Sequence, residues 1–204
     1  MLCLVIDRSV LHGELDHAVE EAVAGGVDWV QVRERTLGGE ALAELTLRVG
    51  AAAKRGAERR RAPVSLIVNR RADIALACAA DGLHLGFDAV PSSVARELLG
   101  PDARIGRSVH DPTEIDPEAA LSYVHLAPVF SPLSKASERE PLGLSGVHAA
   151  SQRGVPVLAQ GGVDASNAAA VIEAGAAGLA VTGAILMQQH PGEAARALRR
   201  TLDA

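Results

Sequence analysis

Aromatic residues are scarce in this chain: one Trp, one Tyr and two Phe among 204 residues. Any core must therefore be built from Ala, Val, Leu and Ile. Cysteine is nearly absent as well. Cys3 and Cys78 are the two present, far apart and in no C-x-x-C pair, which excludes a zinc site or a disulfide framework. No apolar run approaches the roughly 20 residues of a membrane span. Positive charge is not in excess: the formal net charge is −5, which argues against a general nucleic-acid binder. The opening Met1–Ile6 runs straight into Asp7, too short for a signal peptide. A reduced, cytoplasmic protein with no membrane or nucleic-acid partner is the expectation.

What the chain does have is aliphatic bulk, 48% hydrophobic residues, with 20 glycines suited to tight strand-to-helix turns. Leu2–Ile6 is a compact apolar run that fits a buried parallel strand. The run 15–24 follows with Leu15, Ala18, Val19, Ala22 and Val23 on one helical face, and Gly25-Gly26 ends it. The cycle then repeats, with strands expected at 28–32, 64–68, 82–85, 104–108, 123–127, 155–159 and 178–181. Helices are expected at 39–54, 72–80, 92–99, 112–120, 144–152, 166–174 and 192–202. Eight strand–helix units without a composition break imply a parallel sheet. Eight units point to a closed (β/α)8 TIM barrel of the α/β class, one domain over residues 1–204. An open doubly wound sheet is the alternative. It would have to hide two sheet edges, and no Gly-x-Gly-x-x-Gly turn follows the first strand.

In such a barrel the working face is the set of residues just after each strand. The stretch 104–110 is central: a short strand carries Ser108, and His110 follows two residues on. Imidazole is the side chain best suited to moving protons in both directions near neutral pH. Asp7, Arg33, Arg35, Asn69, Arg70, Arg71, Asp88, Lys135 and Gln160 fall at other strand ends. A basic face on an acidic protein favours a small anionic substrate. Gly161-Gly162 after the seventh strand and Thr182-Gly183-Ala184 after the eighth sit where barrels commonly cradle a phosphate with backbone N–H groups. A carboxylate placed at Gly162 is expected to weaken phosphate binding in a barrel that stays folded. His84 and His125 read as satisfied interior residues, and His12, His17, His148 and His190 as surface positions. No His or carboxylate pair has metal-ligand spacing, and the connection 128–141 is long and polar, as functional loops often are.

The runs Gln31-Val-Arg-Glu-Arg35, Asn69-Arg-Arg-Ala-Asp-Ile-Ala-Leu76, Asp81-Gly-Leu-His-Leu-Gly86, Ile105-Gly-Arg-Ser-Val-His110, Ala127-Pro-Val-Phe130 and Ala159-Gln-Gly-Gly162 occur in order. Together they resemble the thiamine phosphate synthase superfamily over nearly the whole chain. The resemblance implies a (β/α)8 barrel and one of two activities. The synthase branch joins hydroxymethylpyrimidine pyrophosphate to thiazole phosphate with Mg²⁺. The thiazole tautomerase branch isomerises a carboxythiazole phosphate to its aromatic form without metal. The synthase pattern has Asn-Asp after the third strand and a further aspartate after the fourth. Here those places hold Arg70 and Ala89, with Asp88 one residue out of register. Lys135 matches the synthase's phosphate-side lysine, whereas Gly106-Arg-Ser-Val-His110 and Arg33-Glu-Arg35 resemble the tautomerase.

The residues thus lead to the tautomerase as the expected activity, an isomerase with His110 carrying the proton shift and no cofactor. Arg33, Arg35, Asn69, Ser108, Lys135, Gly161, Gly162, Thr182, Gly183 and Ala184 would bind a phosphorylated thiazole. The alternatives are the Mg²⁺-dependent synthase, a transferase, and a non-catalytic regulator that keeps the pocket. Assembly into a homo-oligomer is left open by the sequence.

Overall fold

The computed structural model describes residues 1–86, 89–117, 119–131 and 139–203. Eight short strands form in chain order: β1 (Leu2–Ile6), β2 (Trp29–Val32), β3 (Ser65–Asn69), β4 (Gly82–Leu85), β5 (Arg104–Val109), β6 (Tyr123–Leu126), β7 (Val157–Gln160) and β8 (Gly178–Val181). Each pairs in parallel with its successor, and β8 returns to β1 with Cys3 opposite Ala180, so the barrel is closed. Closure leaves no strand edge to hide. The (β/α)8 barrel expected from the alternation is therefore what forms, and the open sheet is not.

Side chains alternate across each strand, so every second residue points into the barrel. The interior is graded from apolar to polar. Cys3, Val5, Trp29, Ile67, Tyr123, Leu158 and Ala180 make one buried cluster. Trp29 and Tyr123, each the first residue of its strand, approach to 4.9 Å between ring centroids. Two of the chain's few aromatics thus plug the N-terminal end of the barrel. Toward the C-terminal ends the same interior columns change to Gln31, Asn69, His84 and His125, all buried. This polar layer becomes the floor of the site. The other strand face packs under the helices in a separate Val-, Leu- and Ala-rich core.

The surrounding helices are α1 (Leu15–Ala24), α2 (Gly39–Arg60), α3 (Ala72–Ala77), α4 (Ser92–Leu99), α5 (Gly143–Ser151), α6 (Ala168–Glu173), α7 (Gly183–Leu186) and α8 (Pro191–Leu202). The five apolar positions read for the first helix are the ones α1 buries. Three expectations need correction. First, α2 runs on to Arg60 rather than stopping near Lys54. Gly56 lies within it without breaking it, its missing Cβ letting α2 pass against the Glu20 carbonyl and Val23 of α1, and Arg55 and Arg59 pair with Glu20 and Glu21. Second, among the described residues no α-helix lies between β5 and β6. They hold a 3-10 turn, Pro112–Glu114, where Asp111 accepts from the Thr113 N–H at 2.8 Å. Pro117 lacks the N–H that a helix begun at Pro112 would need there, and buried Ile115 covers the barrel in its place. Third, two helices follow β8, the short α7 having been read only as a turn. No helix among the described residues is long and apolar enough to cross a membrane.

Candidate active site

Above the C-terminal ends of the strands lies a cavity of about 310 Å³. It gathers ten of the residues expected from the sequence: Arg33, Arg35, Asn69, Ser108, His110, Gly161, Gly162, Thr182, Gly183 and Ala184. Lys135 and Asp88 lie outside the described residues. Three charged wall residues were not anticipated as site residues: Arg107, Glu114 and Arg139. Arg107 was masked by its place within an apolar strand. Glu114 was masked by the helix expected around it, and Arg139 by the absence of pattern in the long connection.

The cavity is strongly cationic. Arg33, Arg35, Arg70, Arg107 and Arg139 line it against the carboxylates of Asp7 and Glu114. Arg33 sits deepest. Burial holds its guanidinium below the ordinary arginine range, Arg35 and Arg70 push the same way, and Asp7 and Glu34 oppose them. Its Nη1 lies 3.4 Å from Asp7 Oδ2, a longer approach than a strong charge-assisted bond would have. Arg70 follows β3 in a left-handed turn, φ 67°, fixed by its N–H bonding the His84 carbonyl at 2.8 Å. Mutual repulsion of this kind is relieved by an anion, so the electrostatics ask for a phosphate-class ligand.

His110 is held from two sides. Its ring Nδ1 is 2.6 Å from the Ala127 carbonyl, and its backbone N–H donates to Glu114 Oε2 at 3.1 Å. A carbonyl can only accept, so Nδ1 carries the hydrogen, which in the neutral ring leaves the lone pair on Nε2. Below it, His84 bridges Ser108 Oγ (2.8 Å) and the Tyr123 hydroxyl (3.2 Å). His84 is fully desolvated, which, with His125 and Arg33 nearby, keeps it neutral well below the usual imidazole range. His125 is pushed down to about 3 by burial, against a hydrogen bond with Gln160. His84 is therefore the satisfied interior histidine expected. His125 is not: its Nε2 has no hydrogen-bond partner among the described residues. The four remaining histidines, His12, His17, His148 and His190, are exposed as read.

The glycine turns have a structural reason of their own. Gly161 and Gly162 have φ of 88° and 64°, and their backbone passes directly beneath the segment after β6. A Cβ on Gly162 would lie 2.4 Å from the Ser131 carbonyl oxygen. The Gln160 and Gly161 carbonyls accept from Val129 and Phe130 (2.9 and 3.0 Å), and that of Gly162 accepts from Asn167 Nδ2 (2.9 Å). With the carbonyls engaged, the turn offers a ligand its N–H groups. The expectation that a side chain at Gly162 would leave the fold untouched does not hold.

A hard divalent cation would need carboxylate oxygens. Asp7 is tied to Ser9 and Arg33, and Glu114 to the His110 N–H. No group of three His, Cys, Asp or Glu among the described residues could hold a metal ion. The described side chains do not fit Mg²⁺.

Barrel and cavity together define a TIM-barrel protein for small phosphorylated ligands. A family model described as thiamine monophosphate synthase matches residues 2–185, and the chain belongs to that family. It is 39% identical over 204 residues to a thiamine-phosphate synthase of Leptospira biflexa, covering 96% of this chain and 94% of that one. It is 37% identical over 202 residues to the thiamine-phosphate synthase of Chloroflexus aurantiacus, covering 97% and 90%. Among solved structures, a thiamine phosphate pyrophosphorylase from Pyrococcus furiosus superposes with a TM-score of 0.83 at 26% identity, covering 99% and 95%. These relatives overturn the tautomerase expectation. Full-length similarity runs to synthases, which are transferases. The ring-proton shift assigned to His110 falls with it; the residue's place in the pocket stands.

Proposed function

We propose that this protein is a transferase of the thiamine-phosphate synthase type, joining hydroxymethylpyrimidine pyrophosphate to thiazole phosphate. The observation that carries the reading is full-length identity of 37–39% to thiamine-phosphate synthases. The arginine-lined cavity at the strand ends is consistent with it. In the reaction the thiazole nitrogen lone pair forms the N–C bond to the pyrimidine methylene. The C–O bond breaks, and its electron pair leaves with pyrophosphate.

Charge builds on the departing oxygens, so catalysis needs cations already in position where that charge develops. Arg33, Arg35 and Arg70 supply them here. The thiazole phosphate sits on the N–H groups of the Gly161-Gly162 turn and of Gly183-Ala184, beside the Thr182 hydroxyl. Asn69, Ser108 and Gln160, at the floor, offer hydrogen bonds to a heteroaromatic ring. His110 Nε2 accepts a hydrogen bond from a substrate N–H or O–H. Holding both rings with reacting atoms in contact supplies the entropic part of the acceleration.

The test is direct. Purified protein, given both substrates, should form thiamine phosphate, detected by mass. Failure to form it, with or without Mg²⁺, in a folded protein would defeat the reading.

A further inference from the structure

We propose that this pocket holds a pyrophosphate group by arginine alone, with Arg33, Arg35 and Arg70 taking the place a divalent cation would fill. The proposal rests on the transferase reading and specifies how its leaving group is bound.

Three observations lead to it. Among the described residues the pocket wall carries five arginines against two carboxylates, and both carboxylates already accept hydrogen bonds or ion pairs from the protein. A divalent cation would enter a field that repels it and find no free cluster of hard oxygen ligands among the described residues. The three cations line one cavity: burial chiefly, and Arg35 and Arg70 beside it, oppose the protonated form of Arg33, against Asp7 and Glu34. Like charges held together on a rigid barrel are costly unless an anion of matching charge bridges them. Pyrophosphate, with several charges over two linked phosphoryl groups, is such an anion, and guanidinium forks bind its oxygens in pairs.

The backbone adds to the argument. Arg70 adopts φ 67°, a left-handed conformation uncommon for a residue other than glycine, asparagine or aspartate. Its N–H bond to the His84 carbonyl, across the β3–β4 pair, fixes that turn at the pocket wall. The side chain is thereby carried on the barrel rim rather than on a loose loop. A rigid mount of this kind suits a group whose task is positional.

The test is calorimetric titration of the whole protein with inorganic pyrophosphate, in EDTA and again in Mg²⁺. Saturable binding in EDTA is expected, with Mg²⁺ giving no increase in affinity. Arg70→Asn, which removes the charge but tolerates the left-handed turn, should weaken binding in EDTA by about ten- to a hundredfold, the worth of one charged hydrogen-bonding group. Arg35→Gln should weaken it similarly, so the result does not hang on one variant. Thermal unfolding of each variant confirms the fold. Binding seen only with Mg²⁺, or unaffected by both substitutions, would overturn the proposal. If binding needs Mg²⁺ while coupling proceeds, the arginine clamp falls and the transferase reading survives. If pyrophosphate binds in EDTA and no coupling occurs under any condition, the clamp stands and the transferase reading falls.

Discussion

Gly162→Ala should destabilise this barrel by about 1–5 kcal/mol, although it adds a single methyl group. Two costs combine. Gly162 has φ 64°, and an L side chain in the left-handed region costs about 1–2 kcal/mol. Its Cβ would also lie 2.4 Å from the Ser131 oxygen and 2.7 Å from Phe130 Cβ, closer than such atoms come. Relieving an overpacked contact of this sort costs about 1–3 kcal/mol. Against them, Ala restricts the unfolded chain and returns about 0.4–1 kcal/mol. Gly38 is the control: its φ is −66° and nothing lies within 4 Å of a built Cβ. Gly38→Ala should be neutral or slightly stabilising. Urea unfolding of both variants, read by far-UV circular dichroism, gives the comparison. A Gly162→Ala protein within about 0.5 kcal/mol of wild type, the scatter of ordinary surface changes, would refute the reasoning.

Gly106→Ala should be more damaging still, because its Cβ would fall 2.1 Å from the Tyr123 ring inside the barrel; soluble expression and melting temperature check it, and a wild-type melt would contradict it. His125 titrates at about 3 when folded against 6.5 when exposed, so the unfolded chain binds more protons between those values. Stability should be complete above 6.5 and fall by about 1.4 kcal/mol per pH unit below it. His84 adds to the same slope, and a flat profile of urea-unfolding free energy from pH 7 to 4 would contradict both. Removing the pocket cation nearest the floor, Arg33→Gln, should cost at least about tenfold in kcat/KM for coupling, as loss of a charged hydrogen-bonding group does. His110→Phe removes the Nε2 contact to substrate together with the Nδ1 bond to the Ala127 carbonyl, and about three- to tenfold is expected from loss of the substrate contact; a loss of about a thousandfold or more would give His110 a larger part than positioning.

Much of the fold was legible because its signals are periodic. The α1 stripe Leu15, Ala18, Val19, Ala22 and Val23, and the short apolar runs, each name their own burial. What could not be read depended on distant partners. The length of α2 goes with its contacts to α1, close packing at Gly56 and ion pairs at Arg55 and Arg59, and the lost helix after β5 with Pro117 and Ile115. Most of the pocket was found because barrel strands end where ligands bind. Arg139 and Glu114 reach it from segments with no periodicity to announce them.

The choice between activities failed for a physical reason as well. Within the run Gly106 to His110, taken as a mark of the tautomerase, two residues are fixed by the barrel. Gly106 leaves room for the Tyr123 ring, and Ser108 meets buried His84. Residues constrained by interior packing say little about which reaction the pocket performs. Similarity along the whole chain favours the synthase reading instead.

The most direct measurement is phosphorus NMR of the protein with hydroxymethylpyrimidine pyrophosphate, before and after thiazole phosphate is added. Inorganic pyrophosphate should appear only once the acceptor is present, in step with thiamine phosphate. Release at the same rate without acceptor, or none with it, would contradict the assignment of this barrel as a thiamine-phosphate synthase-type transferase.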